Sequence, residues 1–284
     1  MKITECPRDA MQGIASFIPT EEKLDYLKSL LSCGFDRIDI GSFVSDKVIP
    51  QLADTSEILK EIGSNSLTQL LVIIANEKGL QRALDHNNVD YIGYPFSVSE
   101  QFQVRNTNAT IEKSKERLKR ISDSLGGTNK TLLVYLSMGF GNPYGDPWSE
   151  EHVLTLAKEL YETMGISHFA LSDTIGCATP SMIERLYPYL SNALVGVELG
   201  LHLHTKPENA KAILTSAFKV GCQRMDSALL GIGGCPMASD HLTGNLATEQ
   251  LISVLEENNI SHRINNTFFT VAQEKANRLF SKYQ

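Results

Sequence analysis

The chain is poor in cysteine, and its five cysteines form no pattern. Cys6, Cys33, Cys177, Cys222 and Cys235 are odd in number, irregularly spaced and contain no Cys-x-x-Cys. That excludes a disulfide framework and a zinc knuckle, and it fits a reducing cytoplasm. Basic charge is also short: 26 Lys+Arg against 33 Asp+Glu leave a net charge of −7, with no acidic tail and no basic arm. Neither nucleic acid nor an anionic membrane surface is therefore an expected partner. No apolar run approaches the roughly 20 residues of a membrane span. The first five residues offer neither an apolar core nor an Arg-rich amphipathic stretch, so no targeting peptide is expected. No Pro/Ser-rich linker or low-complexity tract interrupts the 284 residues.

What is present is alternation. Short β-rich runs at Lys2–Cys6, Arg37–Gly41, Gln69–Ala75, Tyr91–Tyr94, Thr131–Ser137, Phe169–Ser172, Val195–Leu201 and Arg224–Ala228 alternate with amphipathic helical runs. The helices carry start and stop signals. Thr20 is placed to cap Glu21–Ser32, Ser149 to cap a helix ending before Gly165, and Thr179-Pro180 and Pro207 open two more. Eight βα units over about 250 residues predict an α/β fold of the closed (β/α)8 TIM-barrel type. A doubly wound sheet is the rival, but Pro7-Arg8-Asp9 after the first strand is no phosphate loop. The barrel is expected to be one catalytic domain over residues 1–259. A short helical C-terminal extension, 260–284, would pack Phe268, Phe269, Val271 and Leu279 on the barrel or on a second subunit.

A barrel of this type carries its active site on the loops after the C-terminal strand ends. The polar residues expected there are Arg8, Asp9, Asp39, Ser42, Asn76, Ser97, Ser137, Asp173, Thr174, His202 and His204, followed by the loop Gly231–Asn245. His202 and His204 stand at i and i+2, so along a strand their imidazoles share a face. Asp9, His202, His204 and Asn245 offer one carboxylate oxygen, two imidazole nitrogens and an amide oxygen. That set suits octahedral Mg²⁺ or Mn²⁺, with Zn²⁺ as the alternative. Two satisfied histidines are the plain reading of His202 and His204. Arg8 can stabilise a developing enolate, or it can form a salt bridge with Asp39 or Asp173. Gly231–Pro236 presents one thiol, Cys235, either as a proton donor or as an inert turn residue. Asp173-Thr174 reads as a strand-end cap or as a holder of water or a substrate hydroxyl.

Taken together, these segments resemble the hydroxymethylglutaryl-CoA lyase family, from Thr4 to about Glu257. Glu5–Gln12 resembles the family's opening E-x-x-P-R-D-G-L-Q segment, and Ser42–Gln51 its S-F-V-S-P-K-x-V-P-Q stretch. Asp173–Gly176 is similar to its D-T-I-G turn, Gly231–Pro236 to its G-L-G-G-C-P loop, and Gly244–Glu249 to its G-N-L-A-T-E-D. The resemblance implies Asp9, His202, His204 and Asn245 as ligands of a divalent metal. It implies Arg8 as the enolate stabiliser, Cys235 as the mobile-loop thiol, and Asp173 and Glu249 as supporting acidic groups. Gln12, Asp39, Ser42, Gly233 and Gly234 are the expected contacts to an acyl-CoA substrate. The implied reaction is retro-Claisen cleavage of hydroxymethylglutaryl-CoA to acetyl-CoA and acetoacetate, a step of leucine degradation and ketone-body formation, with His202 as the candidate base. A homodimer is the family-level expectation. An aldolase or acyl-transfer synthase acting on a 2-oxo acid is the alternative enzyme, and a ligand-binding barrel without catalysis is the non-enzyme one. Three departures bear on substrate fit. Asp39 stands where the lyases carry Glu, Thr205 follows the second histidine in place of Asp, and Gly13-Ile14-Ala15-Ser16 lacks a basic residue. The Cys235–Asn245 loop also reads one residue longer than usual.

Overall fold

The computed structural model describes residues 1–63, 67–234 and 243–283. Eight parallel strands close into a barrel in chain order: β1 (Lys2–Glu5), β2 (Arg37–Ser42), β3 (Gln69–Ile73), β4 (Tyr91–Ser97), β5 (Thr131–Ser137), β6 (His168–Asp173), β7 (Glu198–Leu203) and β8 (Arg224–Ser227). β8 closes on β1 with Lys2 opposite Arg224 and Glu5 opposite Ser227. The expected fold is thus observed. No helix among the described residues is long and apolar enough to cross a membrane.

The helices begin where side chains can take up free backbone N–H groups. Ser149 accepts from the His152 amide at the start of α7 (Glu150–Met164), and Thr179 from the Met182 amide at α8 (Pro180–Ala193). The other helices are α1 (Pro7–Gln12), α2 (Thr20–Leu31), α3 (Thr55–Ile62), α4 (Glu77–Leu84), α5 (Glu100–Thr107), α6 (Ile111–Leu125), α9 (Pro207–Lys219), α10 (Thr248–Glu257) and α11 (Asn266–Tyr283). Thr20 does not cap α2. Pro19 holds that position, and the Thr20 hydroxyl donates to Asp54 at 2.9 Å. Asn76 is not a rim group either, because its side chain caps α4 through the Gly79 amide at 3.0 Å. α11 lies against α2, with Phe280 edge-on to Tyr26 and Phe269 edge-on to Phe35. Phe269 and Leu279 are buried as expected, whereas Phe268 and Val271 are exposed.

β7 starts and ends later than the sequence pattern places it. Residues 194–197 are apolar but form no buried strand: Val195 is 75% exposed, and Gly196 turns the chain at φ +83°. The strand instead carries His202 within it and ends beside His204, which bridges to Asn245.

The large apolar core lies between strands and helices. A smaller cluster, Leu71, Ile73, Tyr91, Leu133, Tyr135 and Ala170, sits on the inner faces of β3 to β6. The other side of the barrel is charged. Arg224 bonds Asp226 at 2.8 Å and the Phe169 carbonyl at 2.6 Å, and Arg37 stacks on Tyr91 at 3.5 Å. Gly200 permits the Arg224 crossing, since a Cβ there would overlap the guanidinium.

Glu5, fully buried at the end of β1, accepts the Leu229 amide at 2.8 Å and the Thr248 hydroxyl at 2.6 Å. Burial pushes it up from 4.5 to about 8, although both hydrogen bonds pull the other way. Between those values the folded chain holds a proton that the unfolded chain has lost. Stability contributed by the neutral carboxyl is therefore full below pH 4.5, falls as pH rises towards about 8, and is level above it. Glu5→Gln should flatten that slope and stabilise the chain above pH 8 by a few kcal/mol. Urea unfolding of both proteins at pH 6 and pH 9 tests this. An unchanged pH slope in the variant would refute it.

Candidate active site

The C-terminal ends of β1 and β7 bring three metal-ligating groups together. Asp9, in the first turn of α1, places Oδ2 3.8 Å from His202 Nε2 and 3.9 Å from His204 Nε2. One ligand atom from each of the three lies within 4.8 Å of the others, and all three residues are buried. The tautomers follow from the acceptors. His204 Nδ1 faces the Thr243 carbonyl at 3.0 Å, which can only accept, so the proton sits on Nδ1 and the Nε2 lone pair points at Asp9. His202 Nδ1 likewise donates to Asp226 at 3.3 Å. Asn245, bridged to His204, donates through Nδ2 to the Ile232 carbonyl at 2.9 Å and lies beside Asp9, and its amide is the fourth side chain that could serve a cation there. Two imidazoles, a carboxylate and an amide oxygen fit a divalent cation.

Arg8 is the one cation at the mouth of this cluster among the cavity-lining residues. Its Nε and Nη2 hold Asp39 Oδ2 at 2.9 and 2.5 Å, while Nη1 reaches Asp9 Oδ1 at 3.1 Å and Gln12 Oε1 at 2.8 Å. Gln12 in turn donates to Asp9 Oδ1. Burial works to raise Asp9, but Arg8 and both histidines override it and hold the carboxylate below its usual range. For Asp39 burial wins over Arg8 and pushes it up to about 6. Asp39 is fully buried and meets the cavity only through Arg8; its Oδ1 has no hydrogen-bond partner among the described residues.

A cavity of about 160 Å³ opens beside the cluster. Arg8, Asp9, Gln12, Ser42, His202 and His204 line its floor with Tyr135, Ser137, Ser172 and Thr174, and Val44, Val48, Ile49, Ile73 and Phe102 form an apolar wall. Ser42 faces the cavity while its hydroxyl accepts from the Val44 amide at 3.1 Å. Gly233 lies against the cluster from behind: a Cβ there would sit 2.6 Å from Asn245 Nδ2 and 2.7 Å from the Asp9 carbonyl, and its φ is +102°. Gly234 is buried next to it. Among the described residues neither glycine lines the cavity.

Three expectations change. Asp173 gives its oxygens to the Cys177 and Ala178 amides at 3.0 and 2.7 Å, so it caps the turn after β6 instead of facing the cavity. Glu249 accepts the Leu230 amide at 3.1 Å and is likewise a loop anchor. His202 has one nitrogen on Asp226 and the other on the cluster. A ligating His202 therefore has no lone pair left to act as the base. Cys235 lies outside the described residues.

Sequence reading missed Asp226 and Tyr135. Arg224 and Asp226 occupy alternate positions of a strand whose two faces are both covered, which is a legible sign of an interior ion pair. Burial raises Asp226, but Arg224 and His202 overcome it and keep the carboxylate ionised. The same carboxylate fixes the His202 ring and raises the imidazole's basicity against its burial. Tyr135 is edge-on to His202 at 5.4 Å, and its buried hydroxyl has no hydrogen-bond partner among the described residues. Asp226→Asn should weaken divalent-metal binding about 10- to 100-fold while leaving the barrel folded. Calorimetric titration with Mn²⁺ reads this, and an unchanged affinity would remove Asp226 from the site.

Barrel and cluster together define a (β/α)8 protein with a mixed imidazole–carboxylate cluster that could hold a metal, beside a buried arginine. The HMGL-like family model matches residues 3–275, and the chain belongs to that family. It is similar to hydroxymethylglutaryl-CoA lyase YngG of Bacillus subtilis, 32% identical over 258 residues that span 91% of this chain and 85% of the relative. The mitochondrial hydroxymethylglutaryl-CoA lyase of Mus musculus is 34% identical over 258 residues, covering 90% and 78%. Among solved structures, an HMG-CoA lyase from Acinetobacter baumannii in complex with coenzyme A and 3-methylmalate superposes with a TM-score of 0.92 at 30% identity. That match covers 99% of this chain and 91% of the other.

Proposed function

We propose that this chain cleaves hydroxymethylglutaryl-CoA to acetyl-CoA and acetoacetate. The observation that supports the reading best is the convergence of Asp9, His202 and His204 beside Arg8 at the foot of an apolar-walled cavity. Asp9, His202, His204 and Asn245 would hold Mg²⁺ or Mn²⁺. When bound, that cation supplies Lewis-acid polarisation and a template for the substrate's hydroxyl and carboxylate. Arg8 stands ready at the same floor to stabilise the enolate released when the carbon–carbon bond breaks. The Tyr135 ring, edge-on to His202, lines the cavity, and Val44, Ile49, Ile73 and Phe102 exclude water from the enolate. Cys235 is proposed to return a proton to it. We read 1–259 as the catalytic barrel and 260–284 as its extension, acting in the cytoplasm as a homodimer. The test is acetyl-CoA release from hydroxymethylglutaryl-CoA by thiol-reduced protein, with Mg²⁺ or Mn²⁺ and then with EDTA. Metal-dependent release is expected. A folded, metal-binding protein that releases none would move the search to other hydroxyacyl thioesters.

A further inference from the structure

The inner edge of the His202 ring faces a second donor set. Cys6, which joins β1 to α1, is fully buried beneath it. Ligand atoms of Cys6, His202 and Asp226 lie within 4.8 Å of one another, and all three residues are buried. His202 Nδ1 is the nitrogen on this side, 3.3 Å from Asp226 Oδ2. Cys6 packs in the apolar core, but its sulfur is little engaged. Its Sγ has only a weak 3.8 Å contact to the Thr4 carbonyl, and its side chain does not cap α1.

We propose that Cys6, His202 and Asp226 form a second metal site, selective for a thiophilic divalent cation such as Zn²⁺ or Cd²⁺. Donor chemistry separates it from the outer cluster. A thiolate with an imidazole and a carboxylate is a Zn²⁺ set, whereas Mg²⁺ and Mn²⁺ prefer oxygen-rich sets like the outer one. Tetrahedral Zn²⁺ ligands stand roughly 3.3–3.8 Å apart, so a spacing within 4.8 Å closes with shifts of at most about 1.5 Å. The charges also fit: thiolate and carboxylate offset the cation, while Arg224 keeps its bond to Asp226 Oδ1 at 2.8 Å. Capture releases two protons to water, one from the Cys6 thiol and one from His202 Nδ1, and a ring that keeps Nε2 on the outer cation thereby becomes an imidazolate bridging the two sites. It replaces the His202–Asp226 hydrogen bond, so the ring that serves the outer site is pulled on from behind. Thiophilic cations are therefore inhibitors that excess Mg²⁺ does not displace. The site is read out by metal binding and does not depend on the lyase reading.

The experiment is Cd²⁺ titration of the full chain in saturating Mg²⁺, followed by the ultraviolet thiolate-to-cadmium charge-transfer band. Cys235→Ser is used throughout so that the loop thiol is silent, with binding as the only readout. The band is expected in Cys235→Ser, and Cd²⁺ affinity should fall by at least about tenfold when Cys6→Ser is added. A band of equal strength in the double variant overturns the proposal. A cadmium NMR spectrum of Cys235→Ser labelled with ¹⁵N-histidine tests it without touching Cys6. A coupling between cadmium and His202 Nδ1 is expected, and its absence at saturating Cd²⁺ also overturns the proposal.

Discussion

Asp9→Asn should abolish tight binding of Mg²⁺ or Mn²⁺ and lower turnover on the order of a thousandfold, several kcal/mol of transition-state stabilisation. Among Asp9, His202, His204 and Asn245 the only formal negative charge belongs to Asp9. Its Oδ2 lies 3.8 and 3.9 Å from the two imidazole Nε2 atoms, so one oxygen sits against both nitrogens. The amide is nearly isosteric, and its oxygen can still accept from Arg8 and Gln12, which now meet Asp9 Oδ1. The fold is therefore expected to persist. Arg8 also retains Asp39 as its charged partner. The two readouts are calorimetric Mn²⁺ titration and acetyl-CoA release at saturating metal. Wild-type metal affinity in a folded Asp9→Asn protein would dismiss the cluster as a metal site.

The barrel was legible in the sequence because each βα unit carries its own punctuation. Caps such as Ser149 and Thr179-Pro180 bracket helices, and the buried strands between them are apolar runs. The same logic misplaced β7. An apolar run, Leu194-Val195-Gly196-Val197, reads as strand, but it forms a turn, with the Val197 amide on the Leu194 carbonyl. The strand proper begins at the charged Glu198, which the end of the barrel accepts beside Lys2 at 2.6 Å, Arg224 at 3.2 Å and Arg37 at 3.6 Å from other strands. Pairings of that kind are between elements and have no sequence spacing. The convergence of the two histidines was legible because i and i+2 share a strand face. The partner of His202 was not: Asp226 reaches it from β8. The salt bridge of Arg8 was read with Asp39 or Asp173, and it is Asp39 that reaches Arg8 from β2. Asp173 and Glu249 misled for a related reason. An acidic side chain near the barrel mouth looks alike whether it faces the cavity or takes up backbone amides; here Asp173, at the end of β6, takes up those of its own loop, and Glu249, in the first turn of α10, takes up that of Leu230.

Arg8→Lys should cost on the order of 10²- to 10³-fold in kcat while changing metal affinity little, because the loss is of a positioned donor to a developing oxyanion rather than of a ligand. The guanidinium uses three nitrogens at once: two on Asp39, and the third on Asp9 and Gln12. An ammonium has one nitrogen on a flexible stem and cannot span both carboxylates. Lysine nevertheless keeps a positive charge opposite Asp39, so that carboxylate is not left as a lone buried anion. Removal of the charge by Arg8→Gln would leave it so, and should cost about 3–5 kcal/mol of stability. The pair of variants separates the two roles of Arg8. Lysine should fold like the parent and fail in turnover, whereas glutamine should fail in both. Urea unfolding and steady-state kinetics at saturating Mn²⁺ measure each. If Arg8→Lys turns over at the parental rate, charge alone suffices at this position, and the forked geometry with Asp39 serves only to hold α1 and β2 together at the mouth of the barrel.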